Sequence, residues 1–143
     1  MRIAKLIENR ASSDIVSATV DTPMREAVAL LATRRIGAIP VMKEGRVAGI
    51  FSERDVIYRL ADEGEVCLSR PLGEVMTAPA ITVDRETPCD GALALMTRRR
   101  IRHLPVLDDE TLCGFISIGD LVKSRIDEVQ TEAAAMRNYI TSY

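Results

Sequence analysis

The chain has 143 residues, 47% of them hydrophobic and 28% charged, with a formal net charge of −2. That balance suits a folded globular chain, argues against disorder, and gives no general attraction to nucleic acid or to an anionic membrane surface. No apolar run approaches the roughly 18–20 residues of a membrane span, and Met1 to Ala11 is too charged for the apolar core of a signal peptide, so a cytoplasmic location is expected. Residues 1–14 form an N-terminal segment, and a strand is then predicted from Ile15 to Val20. Thr22 reads as an N-cap with Pro23 at the first helical position, and Ala27, Leu30 and Leu31 continue at helical spacing. Ala38 to Met42 and Val47 to Phe51 read as two strands joined through the turn Lys43 to Arg46, a hairpin. A second helix starts near Ser52 and completes a first repeat over 15–62. Gly64, Pro71 and Gly73 mark 63–78 as a linker with a short turn from Leu72 to Met76.

The chain then repeats itself. Displaced by 65 residues, Thr22 to Arg59 aligns without a gap on Thr87 to Ser124, and 13 of these 38 pairs are identical. Thr22-Pro23 falls on Thr87-Pro88, Arg34-Arg35-Ile36 on Arg99-Arg100-Ile101, and Pro40-Val41 on Pro105-Val106. Gly49, Ser52 and Asp55 fall on Gly114, Ser117 and Asp120. The second repeat, 79–125, is therefore predicted as a strand from Ala80 to Val83, a helix capped by Thr87, strands His103 to Leu107 and Leu112 to Ile116, and a helix from Ser117. Residues 126–143 continue as a C-terminal helix, with Ile126, Val129, Ala133, Met136 and Ile140 at spacings of three and four. Such a stripe needs a partner, in the domain or in a second subunit. Trp is absent and aromatics are few, so the core is expected to be aliphatic. Cys67, Cys89 and Cys113 are odd in number and widely spaced, and His103 is the only histidine, which speaks against a disulfide framework or a zinc site.

Ile39-Pro40-Val41 with Gly49-Ile50-Phe51-Ser52-Glu53-Arg54-Asp55, and Leu104-Pro105-Val106 with Gly114-Phe115-Ile116-Ser117-Ile118-Gly119-Asp120, resemble the cystathionine-β-synthase (CBS) domain family. The resemblance implies a mixed α/β fold, a tandem CBS-domain pair of two β-α-β-β-α repeats packed with pseudo-twofold symmetry and often dimerised. It also implies that AMP, ADP, ATP or a related adenosine ligand occupies the clefts between the repeats, NAD and S-adenosylmethionine being further candidates. Such pairs usually regulate another protein, here an unknown one, and a homodimer without nucleic-acid or membrane partners is expected.

Two readings stand for Ser52 with Asp55 and for Ser117 with Asp120. Each pair fits a helix N-terminal cap, Ser accepting from an early amide and Asp favouring the macrodipole. The same geometry lets the carboxylate accept from both ribose hydroxyls while the helix start receives phosphate. Arg54 reads either as a surface partner of Glu53 or Asp55, or as a phosphate ligand. Arg34, Arg35 and Arg98 to Arg100 read as mainly structural, at helix C-terminal turns. Carried over from the family, one cleft sets Ser52, Arg54 and Asp55 against Ile81, Thr82, Arg102, His103, Leu104 and Pro105. A second, weaker cleft sets Ser117 and Asp120 against Val16, Ser17, Ala38 and Ile39, with an acid but few donors. Catalysis is not expected, since there is no converging nucleophile–base pair. The competing reading is a ligand-free structural or interaction module that acts by dimerisation.

Overall fold

Mostly apolar runs of six or seven residues joined by tight turns become the two hairpins of this chain. The computed structural model describes residues 1–142. The first repeat comprises β1 (Ala18–Thr19), α2 (Met24–Arg34), β2 (Ala38–Lys43), β3 (Arg46–Ser52) and α3 (Glu53–Glu63). The second comprises β4 (Val83–Asp84), α5 (Cys89–Arg99), β5 (His103–Asp108), β6 (Thr111–Ser117) and α6 (Ile118–Thr141). A short helix precedes each repeat, α1 (Ile3–Leu6) and α4 (Leu72–Val75). Each repeat makes a three-stranded sheet, with β1 parallel to β2 and β2 antiparallel to β3, and β4, β5 and β6 likewise. The registers correspond: Ala38 pairs Ser52 and His103 pairs Ser117, and both hairpins carry an irregularity, at Val41/Met42 and at Val106/Leu107. In the first hairpin turn Glu44 and Gly45 both have positive φ, 52° and 79°, as a two-residue turn between right-twisted strands requires.

Two local expectations are corrected. The opening strands are short, Ala18–Thr19 and Val83–Asp84 rather than Ile15 to Val20 and Ala80 to Val83. Ile15 and Val16, and Ala80 and Ile81, line cavities between the repeats instead of pairing in the sheet. The helix caps lie one residue later than read, because Pro23 and Pro88 are themselves the N-caps, with extended ψ near 142° and 141°. Thr22 Oγ1 accepts from the Thr19 amide at 3.2 Å and Thr87 Oγ1 from the Asp84 amide at 3.3 Å, so both threonines close the turn before the helix.

Two apolar cores result, and the short helices are exchanged between them. The first core contains Met24, Leu31, Ile39, Val41 and Phe51 from its own repeat, with Cys67, Leu72 and Val75 from the segment that follows it. The second contains Met96, Leu104, Val106, Ile116 and Leu121, with Ile3 and Ile7 from the N-terminus. The docking bonds match: Ile3 N donates to Thr87 O and Ala4 N to Arg85 O, while Leu72 N donates to Thr22 O and Gly73 N to Val20 O. Residues 63–78 are thus more than a spacer. Leu72 is fully buried, and truncating such a side chain to Ala costs about 2–5 kcal/mol.

Candidate functional site

Between the repeats lie two cavities of about 360 and 290 Å³. The larger is the size of a small-molecule site. One wall is the start of α3. Ser52 is the N-cap, and its amide donates to Asp55 Oδ2 at 2.9 Å, with the Ser52 hydroxyl at 3.2 Å. Asp55 Oδ1 accepts from Thr77 Oγ1 at 2.8 Å. Thr77 is held there by paired amides: Ile50 N donates to Thr77 O and Thr77 N to Ile50 O, both at 2.9 Å. The facing wall carries Ile81, Arg99, Arg100, Arg102 and His103. Arg54 neither pairs with its acidic neighbours nor stands free. Its Nη1 donates to the Arg100 carbonyl at 2.6 Å, so a side chain from α3 satisfies the left-handed C-cap of α5 (Arg100 φ 55°). Arg102 Nη2 lies 4.0 Å from Glu53 Oε1.

The smaller cavity is bounded by Ser117 and Asp120 at the start of α6 and by Val16, Ala38, Arg10 and Asp14. Here the cap is reciprocal, Ser117 N donating to Asp120 Oδ2 at 2.9 Å and Asp120 N to Ser117 Oγ at 3.1 Å. Arg10 adds a fork, Nη2 at 3.1 Å from Asp120 Oδ1 and Nη1 donating to Oδ2 at 3.3 Å. Burial alone would raise the Asp120 pKa, but the Arg10 guanidinium and the Ser117 amide outweigh it and hold the carboxyl below the usual range. His103 lines both cavities. Its ring stacks on Phe115, centroids 5.6 Å apart and planes within 14°. Burial, and then the neighbouring Arg102 charge, lower its pKa.

Most expected residues meet as read. Ser52, Arg54, Asp55, Ile81, Arg102 and His103 share the larger cavity; Val16, Ala38, Ser117 and Asp120 share the smaller. Thr82 and Ser17 do not line them. Ile39 and Leu104 are fully buried in their own cores and Pro105 is buried further along β5. For Ile39 and Leu104 strand alternation is the reason: Ala38 and His103 face the clefts, so the next residue of each strand faces away. Arg99 and Arg100, read as structural, line the larger cavity, and Thr77 and Tyr58 join them. In the smaller cleft Arg10 adds a guanidinium that the sequence did not mark, and it is already engaged by Asp120. Among the described residues, no cluster of three or more His, Cys, Asp or Glu side chains could hold a metal ion, and no helix is long and apolar enough to cross a membrane.

Known proteins share this fold. The CBS-domain containing protein CBSX3, mitochondrial, of Arabidopsis thaliana is 36% identical over 127 residues, covering 85% of this chain and 62% of that protein's length. The crystal structure of the CBS-domain containing protein ATU1752 from Agrobacterium tumefaciens superposes with a TM-score of 0.81 at 33% identity, covering 87% of this chain and 99% of that one. The structure of CBSX2 in complex with AMP has the same fold, with a TM-score of 0.75 at 20% identity over 88% of this chain and 96% of that one. The CBS domain profile matches residues 7–62 and again 72–127, and the chain belongs to the CBS domain family as a tandem pair.

Proposed function

We propose that this CBS pair is a non-catalytic regulatory module that binds an adenosine nucleotide, AMP, ADP or ATP, first in the cleft of Asp55. The observation that carries this reading is the opposition, across a cavity of about 360 Å³, of a helix-start carboxylate and the arginines Arg99, Arg100 and Arg102. Among the described residues Asp55 accepts from neutral groups, the Ser52 amide and hydroxyl and the Thr77 hydroxyl. A ribose hydroxyl can replace Thr77 with a bond of the same kind. The arginines then meet phosphate, which favours a phosphorylated ligand over S-adenosylmethionine. AMP in CBSX2, a protein of the same fold, supports the class of ligand. Cytoplasmic placement belongs to the same reading and fits cysteines that stay free and mostly buried.

Thermal melts with AMP, ATP, NAD and S-adenosylmethionine test the class, since a ligand of the folded state raises the melting point. AMP or ATP is expected to raise it in the native chain and to have no effect in Asp55→Asn at the same concentration. An unchanged melting point with all four compounds would leave Ser52 and Asp55 as helix caps alone.

A further inference from the structure

His103 stands where the two clefts meet. Its side chain is half-buried and lines both cavities. Stacking on Phe115, with centroids 5.6 Å apart, fixes the plane of the ring. Among the described residues no hydrogen bond occupies either ring nitrogen. The ring is therefore held by packing, and its nitrogens stay free to take a proton or to meet a ligand. A Cβ at Gly37 would come within 2.5 Å of Glu53 Oε1 and 3.3 Å of His103 Cε1, so the bare backbone of Gly37 admits both side chains to one corner of the larger cleft.

Charged and titratable groups face the ring from each element around it. Arg102 precedes it in the chain, and Arg99 and Arg100 come from the end of α5. Glu53, Arg54 and Asp55 come from the start of α3, with Tyr58 one turn on. Asp120 starts α6, Cys113 lies on β6, and Arg10 and Asp14 belong to the segment before β1. These groups do not balance. Four arginines and one carboxylate line the larger cleft, and Asp120 on the other side is engaged by Arg10. A proton on His103 thus adds a like charge to a basic wall, and burial and the Arg102 charge lower its pKa. A phosphate lying against those arginines reverses the sign, because the imidazolium then gains an anionic partner in a half-buried place where salt screens it little.

We propose that the larger cleft takes up its anionic ligand together with a proton, which comes from solvent and settles on a ring nitrogen of His103, so that binding tightens on acidification. The smaller cleft leaves the ring a route to that proton when the ligand fills the larger one. The inference rests on the nucleotide reading and adds a regulation to it. With the ligand bound, His103 protonates at higher pH than in the free chain. Between those two values the complex holds more protons, so affinity rises as pH falls through the window and levels off below it.

As the only histidine, His103 gives a single ring Cε1–H resonance, which proton NMR follows on the full chain with and without saturating AMP. AMP is expected to move its titration upward by about one unit, a tenfold linkage. The phosphate of AMP itself titrates near pH 6, so calorimetric affinities are compared with those of His103→Gln, with circular dichroism to confirm its fold. Between about pH 7.5 and 5.5 the native chain should gain about tenfold in affinity relative to that variant. Arg102→Gln provides a second check: without the adjoining like charge, the free-chain resonance should titrate at higher pH and the AMP-induced shift should shrink. AMP bound with the His103 titration unmoved, or with equal pH dependence in the native chain and His103→Gln, would overturn the proton linkage and leave the nucleotide reading standing. No AMP binding at any pH would overturn both.

Discussion

Arg10 grips both oxygens of Asp120, Nη2 at 3.1 Å from Oδ1 and Nη1 at 3.3 Å from Oδ2, and among the described residues no guanidinium makes such a contact with Asp55. The repeats match at Ser and Asp, so the difference comes from outside them, from the segment before β1. In the larger cleft the acid is held by a neutral threonine hydroxyl. In the smaller it is held by a charge-assisted fork, which is roughly twice as strong per bond. A ribose entering the smaller cleft must displace that fork, whereas in the larger it replaces a bond like its own. Arg10→Ala is therefore expected to tighten AMP binding at the second site about five- to tenfold. Calorimetry should show one equivalent bound by the native chain and two by the variant under the same conditions. Weaker binding by the variant would mean that Arg10 serves as a phosphate ligand; two equivalents in the native chain would mean that it obstructs nothing.

Gly49 and Gly114 are partners in the repeat, yet they differ in what presses on them. A Cβ at Gly49 would lie 2.6 Å from the Thr77 carbonyl oxygen and 2.7 Å from Met76 Sδ. At Gly114 the nearest atom is Ile7 Cδ1 at 3.0 Å, the end of a flexible side chain. Backbone cannot yield as a methyl can, so Gly49→Ala is expected to cost about 1–3 kcal/mol and Gly114→Ala less. Because Thr77 is held by paired backbone bonds to Ile50, next to Gly49, Gly49→Ala also shifts the Thr77 hydroxyl relative to Asp55. Urea denaturation of the two variants measures the difference; equal losses would show that the Thr77 segment moves freely.

The sequence carried the sheets and helices because a duplicated pattern states each element twice. The two hairpins and the starts of α3 and α6 were legible in the repeat, whereas setting Asp55 against Arg102 and His103 in one cleft rested on the family resemblance. Contacts between segments outside the repeats were not legible. Arg10 and Thr77 precede the strands and fall outside the aligned residues, so no internal comparison marks them. The exchange of α1 and α4 between cores rests on long-range backbone bonds that local periodicity does not encode. Ile39 and Leu104 were misplaced by strand parity, since a shift of one residue moves a side chain to the other face. Pro23 and Pro88 as caps follow from the fixed φ of proline, which suits the cap as well as the first helical position.

The three cysteines should react in an order set by burial. Cys67 is fully enclosed in the first core and Cys89 is 9% exposed. Burial pushes the Cys89 thiol up, which lowers its thiolate fraction. Cys113 is half-buried and lines the smaller cleft. An aromatic disulfide reagent applied to the native chain should modify Cys113 first, with Cys67 and Cys89 following only on unfolding. Labelling then reports on the second cleft: AMP should slow it in Arg10→Ala and leave it unchanged in the native chain. Fast modification of all three thiols would contradict the packing of both cores.

His103 is the only histidine in the chain, so pH-dependent stability between about 5 and 7 isolates one group. Its pKa lies below the ordinary value, first through burial and then through Arg102, and Asp120 and Glu53 only partly offset this. The unfolded chain protonates it near pH 6.5, whereas the folded chain does so at lower pH. Between those two values the unfolded state holds more protons, so stability rises with pH through the window and falls on acidification. Asp120 acts in another range. Its lowered pKa gives stability that is present above the unfolded carboxyl value, near 3.8, and lost below it. Melting temperature should therefore decline from pH 7 toward pH 5.5 in the native chain. His103→Phe keeps a ring against Phe115 without a titrating nitrogen, and is expected to flatten that decline. An identical slope in the variant would assign the effect to a carboxylate and leave His103 as a wall between the two clefts.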